Sequence, residues 1–139
     1  MADNQTLRGL AQVNIYASDV AAVTEWYSRV FGIEPYFVRP EDGPPQYVEF
    51  RVGDYQHEFG IVSSQFQPQA AASNTGGAVI RWHVDDINAA VERLKGLGAT
   101  EYEPVMERGG GFITGSVVDP FGNVLGLIYS PHYLETFGG

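Results

Sequence analysis

The 139-residue chain is predicted to adopt an α+β fold in which one half-domain occurs twice. Residues 12–19 and 79–86, which begin 67 positions apart, carry this prediction. Each stretch alternates apolar and polar residues, as a strand with one packed face does, and each ends in an acidic residue. An amphipathic helix follows each stretch, and a glycine (Gly32 or Gly98) stops that helix. The repetition therefore predicts a duplicated strand–helix–strand–strand–strand unit.

The first copy is predicted over about residues 10–64, after a polar lead-in that frays. Ser18 or Asp19 is expected to cap its helix, in which apolar residues recur at helical spacing up to Phe31. A loop rich in proline then lies within the second part of this copy. Three short strands complete the copy, at 36–39, 46–52 and 58–63.

The second copy repeats this order over about residues 78–130, after a linker at 65–77 with many small and polar residues. Asp86 is expected to cap its helix, and its remaining strands are predicted at 102–107, 112–118 and 124–130. Residues 131–139 form a tail of unassigned role. We expect all 139 residues to form one domain, because this length suits a single core.

The composition restricts the classes of partner. The net charge is −9, with 8 Lys and Arg against 17 Asp and Glu, which argues against nucleic acid or an anionic membrane surface. The acidity favours a cationic or neutral ligand, although it also simply maintains solubility. The chain has no cysteine, and its first residues lack the basic and apolar regions of a signal peptide, so a cytoplasmic location is expected.

Three motifs spread over about residues 10–130 resemble the vicinal-oxygen-chelate superfamily, which includes glyoxalases, bleomycin resistance proteins and extradiol dioxygenases. They are the alternating strand at 13–19 leading to Trp26 and Tyr27, the run 83–87 beginning with His83, and the turn 119–123. The resemblance implies two paired βαβββ modules that form a curled mixed sheet around a cavity. It also implies a homodimer as the common assembly.

Catalytic members of this superfamily hold a divalent ion at four strand positions, which the resemblance maps onto Gln12, Val79, Gly60 and Gly126. An ion site needs His or carboxylate ligands, and none of these four residues supplies one. We therefore predict no metal ligand and no cofactor, and expect the two glycines to leave open space. His57 would turn inward only if its strand shifted by one residue.

The alternation places a mixed set of polar and aromatic side chains on the faces turned towards this cavity. Such a surface suits a small organic ligand. Within the set, an ion pair of Glu49 with Arg51 or Arg81 is the structural alternative to a role in binding. The candidate ligand-binding residues are Gln12, Asn14, Tyr16, Tyr47, Glu49, Arg51, Glu58, Arg81 and His83.

These residues are compatible with more than one class of function. The favoured hypothesis is a metal-free binding protein, similar to the bleomycin resistance branch, that holds a small cationic and aromatic molecule. A second is a metal-independent isomerase or lyase acting beside a carbonyl, with Glu49 or His83 as catalytic base and Arg81 holding an enolate or carboxylate oxygen. A third is a glyoxalase- or dioxygenase-like metal enzyme with rearranged ligands.

Overall fold

A computed structural model describes residues 10–67 and 79–138 of the chain. They belong to two compact units that meet in the sequence between Gln67 and Pro68, here called module 1 and module 2. The predicted lead-in lies outside the described residues except at position 10, as does the predicted linker from position 68 onwards. No helix in the described ranges is long and apolar enough to cross a membrane.

Module 1 contains a four-stranded mixed sheet in the order β1-β4-β3-β2, with β1 parallel to β4 and the other pairs antiparallel. Helix α1 covers one face of this sheet, where the Tyr27 ring contacts Phe59 and the Phe31 ring contacts Phe50. Its elements are β1 (Gln12–Ala17), α1 (Val20–Phe31), β2 (Phe37–Arg39), β3 (Tyr47–Val52) and β4 (His57–Ser63).

The residues that flank α1 determine where this helix begins and ends. The Asp19 carboxylate accepts a hydrogen bond from the Ala22 amide at 3.1 Å and so caps the first turn. At the other end Gly32 has a φ of +72°, a left-handed conformation that glycine adopts without steric strain. The helix is thereby fixed over one face, and the opposite face of the sheet stays free of it.

Module 2 repeats the arrangement with a sheet in the order β5-β8-β7-β6, in which β5 is parallel to β8. Helix α2 begins after Asp86, whose carboxylate accepts from the Ala89 amide, and packs Val91 and Leu94 into the core. Its elements are β5 (Arg81–His83), α2 (Ile87–Gly96), β6 (Thr100–Gly109), β7 (Phe112–Val118), β8 (Val124–Tyr129) and α3 (Pro131–Phe137).

The predicted α+β class with two βαβββ modules is confirmed, and the two sheets are open four-stranded sheets. Three elements differ from the prediction. The strand expected within residues 79–86 covers only Arg81–His83. Strand β6 covers Thr100–Gly109, beyond both ends of the predicted 102–107. The tail forms helix α3, because the Ser130 hydroxyl caps the Tyr133 amide and Pro131 occupies the first helical position.

Candidate functional site

The polar face of module 1 lies opposite α1, as the alternation of the strands predicts. Residues that pair across neighbouring strands point to the same side of a sheet, so the register assigns this face directly. Three rows cross it: Gln12 with Glu58 and Arg51, Asn14 with Gly60 and Glu49, and Tyr16 with Val62 and Tyr47. All seven candidate residues of this module therefore share one face.

Glu49 is the most buried charged residue of this face, with 9% of its surface exposed. The Tyr47 hydroxyl donates a hydrogen bond to Glu49 Oε1, and Gln12 Nε2 lies 3.4 Å from the same oxygen. Asn14 Nδ2 donates in turn to Gln12 Oε1 at 3.1 Å. Neutral donors thus hold the carboxylate in place.

The surroundings of Glu49 disfavour its negative charge. Burial raises the pKa of Glu49, and the charge and hydrogen bonding of the neighbouring Glu58 carboxylate raise it further, while Arg51 opposes them. Burial also raises the pKa of Tyr47. Within 10–67 and 79–138, no Lys or Arg nitrogen lies within 4 Å of the Glu49 carboxylate.

The ion pair considered for Glu49 with Arg51 or Arg81 does not form, because both arginines have other partners. Arg51 Nη2 lies 3.9 Å from Glu58 Oε2, on the neighbouring strand, and Arg81 pairs with Glu103 of its own module. The cross-strand register explains the first difference, because Arg51 is paired directly with Glu58 while Glu49 is paired with Gly60.

Aromatic rings extend the polar face towards the edge strand β2. The Phe37 ring lies 6.1 Å from the Tyr47 ring, and Phe37 is paired across the sheet with Glu49. Tyr16 is 40% exposed at the other side of the face. Sequence reasoning missed Phe37, although its place in the alternation of strand 36–39 was sufficient to find it.

The polar face of module 2 is internally neutralised. Arg81 Nη2 lies 3.2 Å from Glu103 Oε1, which also accepts from the Ser116 hydroxyl at 2.8 Å. Arg81 Nη1 donates to the Gly115 carbonyl at 3.1 Å. The Ser116 hydrogen bond, with Arg81 in support, lowers the pKa of Glu103. Glu103 and Ser116 were not among the predicted residues.

His83 is also on this face, but both of its ring nitrogens are occupied. The Ser130 amide donates to Nδ1 at 3.1 Å, and Nε2 lies 3.1 Å from Asp85 Oδ1. The Tyr133 ring of α3 stacks on the imidazole, with centroids 4.6 Å apart and an interplanar angle of 7°, and leaves 8% of the side chain exposed. Because Nδ1 is the acceptor, the proton resides on Nε2, so the free lone pair of a general base is lacking.

The two glycines at the superfamily's metal positions are crowded by their neighbours, so the expected open space is wrong. A Cβ atom on Gly60 would collide with Asn14 Oδ1 and approach the Tyr47 hydroxyl to 3.0 Å. A Cβ on Gly126 would lie 2.5 Å from the Ile80 carbonyl oxygen. Each glycine admits a neighbouring group where another residue would place a side chain.

The four mapped positions do not fit a divalent ion. The Gln12 amide already bonds Glu49 and Asn14, and Val79 and the two glycines have no donor atom. In the described parts of the chain, His, Asp and Glu side chains form no group of three or more that could hold an ion.

The family model for the Glyoxalase/Bleomycin resistance protein/Dioxygenase superfamily matches residues 9–127. No curated protein matches the chain significantly. Among solved structures, a member of the same superfamily from Sphaerobacter thermophilus DSM 20745 is 20% identical, with a TM-score of 0.71 and coverage of 91% of this chain and 100% of that one.

Two further solved structures show the same fold at similar distance. A lactoylglutathione lyase from Agrobacterium tumefaciens is 21% identical, with a TM-score of 0.66 and coverage of 91% of this chain and 96% of that one. TioX from Micromonospora sp. ML1 is 18% identical, with a TM-score of 0.64 and coverage of 87% and 98%. At these identities the similarity concerns the fold.

Proposed function

The chain belongs to the glyoxalase/bleomycin resistance protein/dioxygenase superfamily, and we propose that it binds a small aromatic cation on the polar face of module 1. Glu49 carries this proposal, because it is a buried carboxylate that neutral donors orient, and no Lys or Arg nitrogen of the described residues lies within 4 Å of it. A cationic guest would supply the missing charge.

The energetics favour such a guest. Burial and the neighbouring Glu58 carboxylate disfavour the ionised form of Glu49 and raise its pKa, and Arg51 offsets this only in part. A cation placed beside Glu49 and Glu58 favours the ionised form and gains charge-assisted hydrogen bonds. The net charge of −9 also attracts cations to the surface.

The rings around the carboxylates suit the aromatic part of the guest. Tyr47 and Phe37 lie beside Glu49, and Tyr16 presents an exposed ring on the same face. Aromatic side chains provide flat contact surface and also attract cations through their π faces. The superfamily's own name includes bleomycin resistance proteins, which is consistent with a role in binding.

A titration with benzamidine, followed by amide chemical shifts, tests this proposal. We expect saturable shifts on β1, β3 and β4 and an affinity loss of about ten-fold or more in Glu49→Gln, as for loss of one partner of a buried charge pair. Glu41→Gln removes the same charge from an exposed position and should bind as the wild type does. If no aromatic cation in a panel binds, or if Glu49→Gln binds as well as the wild type, the proposal fails.

The raised pKa of Glu49 favours a second candidate, metal-independent proton transfer beside a carbonyl. A carboxylate whose pKa moves towards neutrality is a better general base than an exposed one. The other residues predicted for this role are engaged elsewhere, His83 with Ser130 and Arg81 with Glu103. Turnover that withstands a chelator and disappears in Glu49→Gln would favour this candidate. Turnover that depends on added metal would instead favour an enzyme with rearranged ligands.

The superfamily membership also supports a homodimer. Light scattering on the purified chain tests this assembly, with twice the monomer mass as the expected result. A monomer over the whole concentration range would contradict it.

A further inference from the structure

Two arginines, Arg39 and Arg51, lie on the polar face of module 1. Only Arg51 contacts one of the two carboxylates proposed to bind the guest, that of Glu58. The Arg51 guanidinium lies 3.9 Å from Glu58 Oε2, and its central carbon stands 4.3 Å above the Tyr36 ring. The Arg39 guanidinium, two strands from β4, lies 3.5 Å from Glu41 and 4.2 Å above the Phe37 ring. The two side chains are therefore matched in type, stacking and pairing but differ in the carboxylate they contact.

The contact between Arg51 and Glu58 is loose. Charge-assisted N–H···O hydrogen bonds have donor–acceptor distances of about 2.7–2.9 Å, and 3.9 Å lies well outside that range. The Arg51 side chain is 53% exposed and that of Glu58 is 35% exposed, so water screens the pair. The contact of the guanidinium with the Tyr36 ring does not involve Glu58, so opening of the ion pair does not by itself remove it.

We propose that Arg51 is a specificity-determining residue of the module 1 site, an internal competitor whose guanidinium occupies Glu58 until a guest cation replaces it. This inference rests on the proposed function. An ion that contacts only Glu58 must compete with the Arg51 guanidinium. A guest that bonds both Glu49 and Glu58 gains enough to displace Arg51, because the Arg51–Glu58 contact is loose. When the guest displaces Arg51 from Glu58, the guanidinium stays above the Tyr36 ring, so its positive charge keeps a favourable contact.

This arrangement selects guests by hydrogen bonding as well as by charge. The guest and Arg51 compete for carboxylate oxygens, which accept hydrogen bonds and donate none when ionised. An amidinium or a primary ammonium supplies the N–H donors that replace those of a guanidinium. A quaternary ammonium has the same charge but no N–H group, so it cannot donate a hydrogen bond to the carboxylates in place of Arg51.

Three probes of similar size separate these possibilities: benzamidine, benzyltrimethylammonium and benzoate. Each is titrated into the wild type, Arg51→Gln and Arg39→Gln. We expect the wild type to prefer benzamidine, and Arg51→Gln to bind it about three- to five-fold more tightly, the size expected for removing a partly exposed ion pair. Arg39→Gln, which removes the same charge at the matched position, should bind benzamidine as the wild type does.

The outcomes distinguish this inference from the function on which it rests. If Arg51→Gln binds benzamidine no better than the wild type, or if Arg39→Gln gains as much, Arg51 is not a competitor. Benzamidine binding that Glu49→Gln weakens about ten-fold or more would still uphold the function. Equal affinity of the wild type for benzamidine and benzyltrimethylammonium would also overturn the inference. Binding of none of the three probes by any variant would overturn both. Thermal unfolding of each variant checks that its fold is intact.

Discussion

The polar faces of the two modules have the same strand register, but the pKa of the glutamate on each face is shifted in the opposite direction. In module 1 Asn14 pairs with Gly60, and in module 2 Arg81 pairs with Gly126, so each first strand meets a glycine of the last strand at the corresponding place. Each face also holds a glutamate that accepts a hydrogen bond from a hydroxyl group. The pKa of Glu49 is raised, whereas that of Glu103 is lowered.

The difference arises from burial and from the neighbouring groups. Burial and then the Glu58 carboxylate raise the pKa of Glu49. The Ser116 hydrogen bond, supported by the Arg81 guanidinium at 3.2 Å, lowers the pKa of Glu103. Module 2 also covers part of its own face, because Tyr133 of α3 stacks on His83. A duplicated scaffold thus keeps one face saturated by its own side chains, and the proposed function assigns a guest to the other.

The largest effect on stability is expected at Gly126, and a smaller one at Gly60. We predict that Gly126→Ala lowers the free energy of unfolding by about 2–3 kcal/mol, because the added Cβ meets the Ile80 backbone carbonyl at 2.5 Å. Gly60→Ala should lower it by about 1 kcal/mol, because the Asn14 side chain can rotate away. Urea unfolding of both variants measures the two values.

A double-mutant cycle sharpens this comparison. Asn14→Ala removes the side chain that collides with the new Cβ at position 60, so it should restore most of the stability lost in Gly60→Ala. No side-chain substitution can do the same at Gly126, where the obstacle is backbone. Equal losses for the two glycines, unaffected by Asn14→Ala, would show that the positions are not crowded in these different ways.

The two glutamates should respond to pH in opposite senses. For Glu103 the folded pKa lies below the unfolded value of about 4.3, so its ionisation stabilises the fold above that pH and the contribution is lost as the pH falls through the folded pKa. For Glu49 the folded pKa is the higher, so its stabilising contribution is present at low pH and is lost as the pH rises through the folded pKa.

Thermal unfolding of Glu103→Gln and Glu49→Gln from acid to neutral pH measures this difference. Glu103→Gln should lower the midpoint at neutral pH, and the deficit should shrink in acid. Glu49→Gln should raise or preserve the midpoint at neutral pH, since the amide oxygen still accepts from Tyr47, and the advantage should shrink in acid. If both variants lowered the unfolding midpoint at neutral pH, the proposed electrostatic contrast between the modules would be wrong.

Alternation and spacing predicted the modules and the orientation of the polar faces, because both depend on local periodicity. They missed Glu103 because β6 carries register shifts on both sides of this residue, so its direction does not follow from counting along the strand. They also gave the wrong picture of Gly60, since alternation assigns the face of a residue but not how far a neighbour such as Asn14 reaches over it. Helix α3 could have been found from its Ser130 cap and Pro131.

The smallest global effect is expected from His83→Phe, which tests whether this residue is structural. The new ring keeps the contact with Tyr133, but the Ser130 amide loses its acceptor, at a cost of about 1 kcal/mol. Because this amide lies at the start of α3, hydrogen exchange should quicken in α3 while the sheet strands of module 2 keep their protection.

His132→Phe provides the matched control for this prediction. His132 is an exposed residue of α3 whose ring meets Phe112 edge-on, and its replacement leaves the bond from the Ser130 amide intact. Exchange in α3 should then stay near the wild-type rate, and benzamidine should bind both variants as it binds the wild type. If His83→Phe instead weakened benzamidine binding as strongly as Glu49→Gln, the guest would depend on the module 2 face as well. The contrast between a saturated face and an open one would then be wrong, because a residue satisfied by Ser130 and Asp85 would still be contributing to the site.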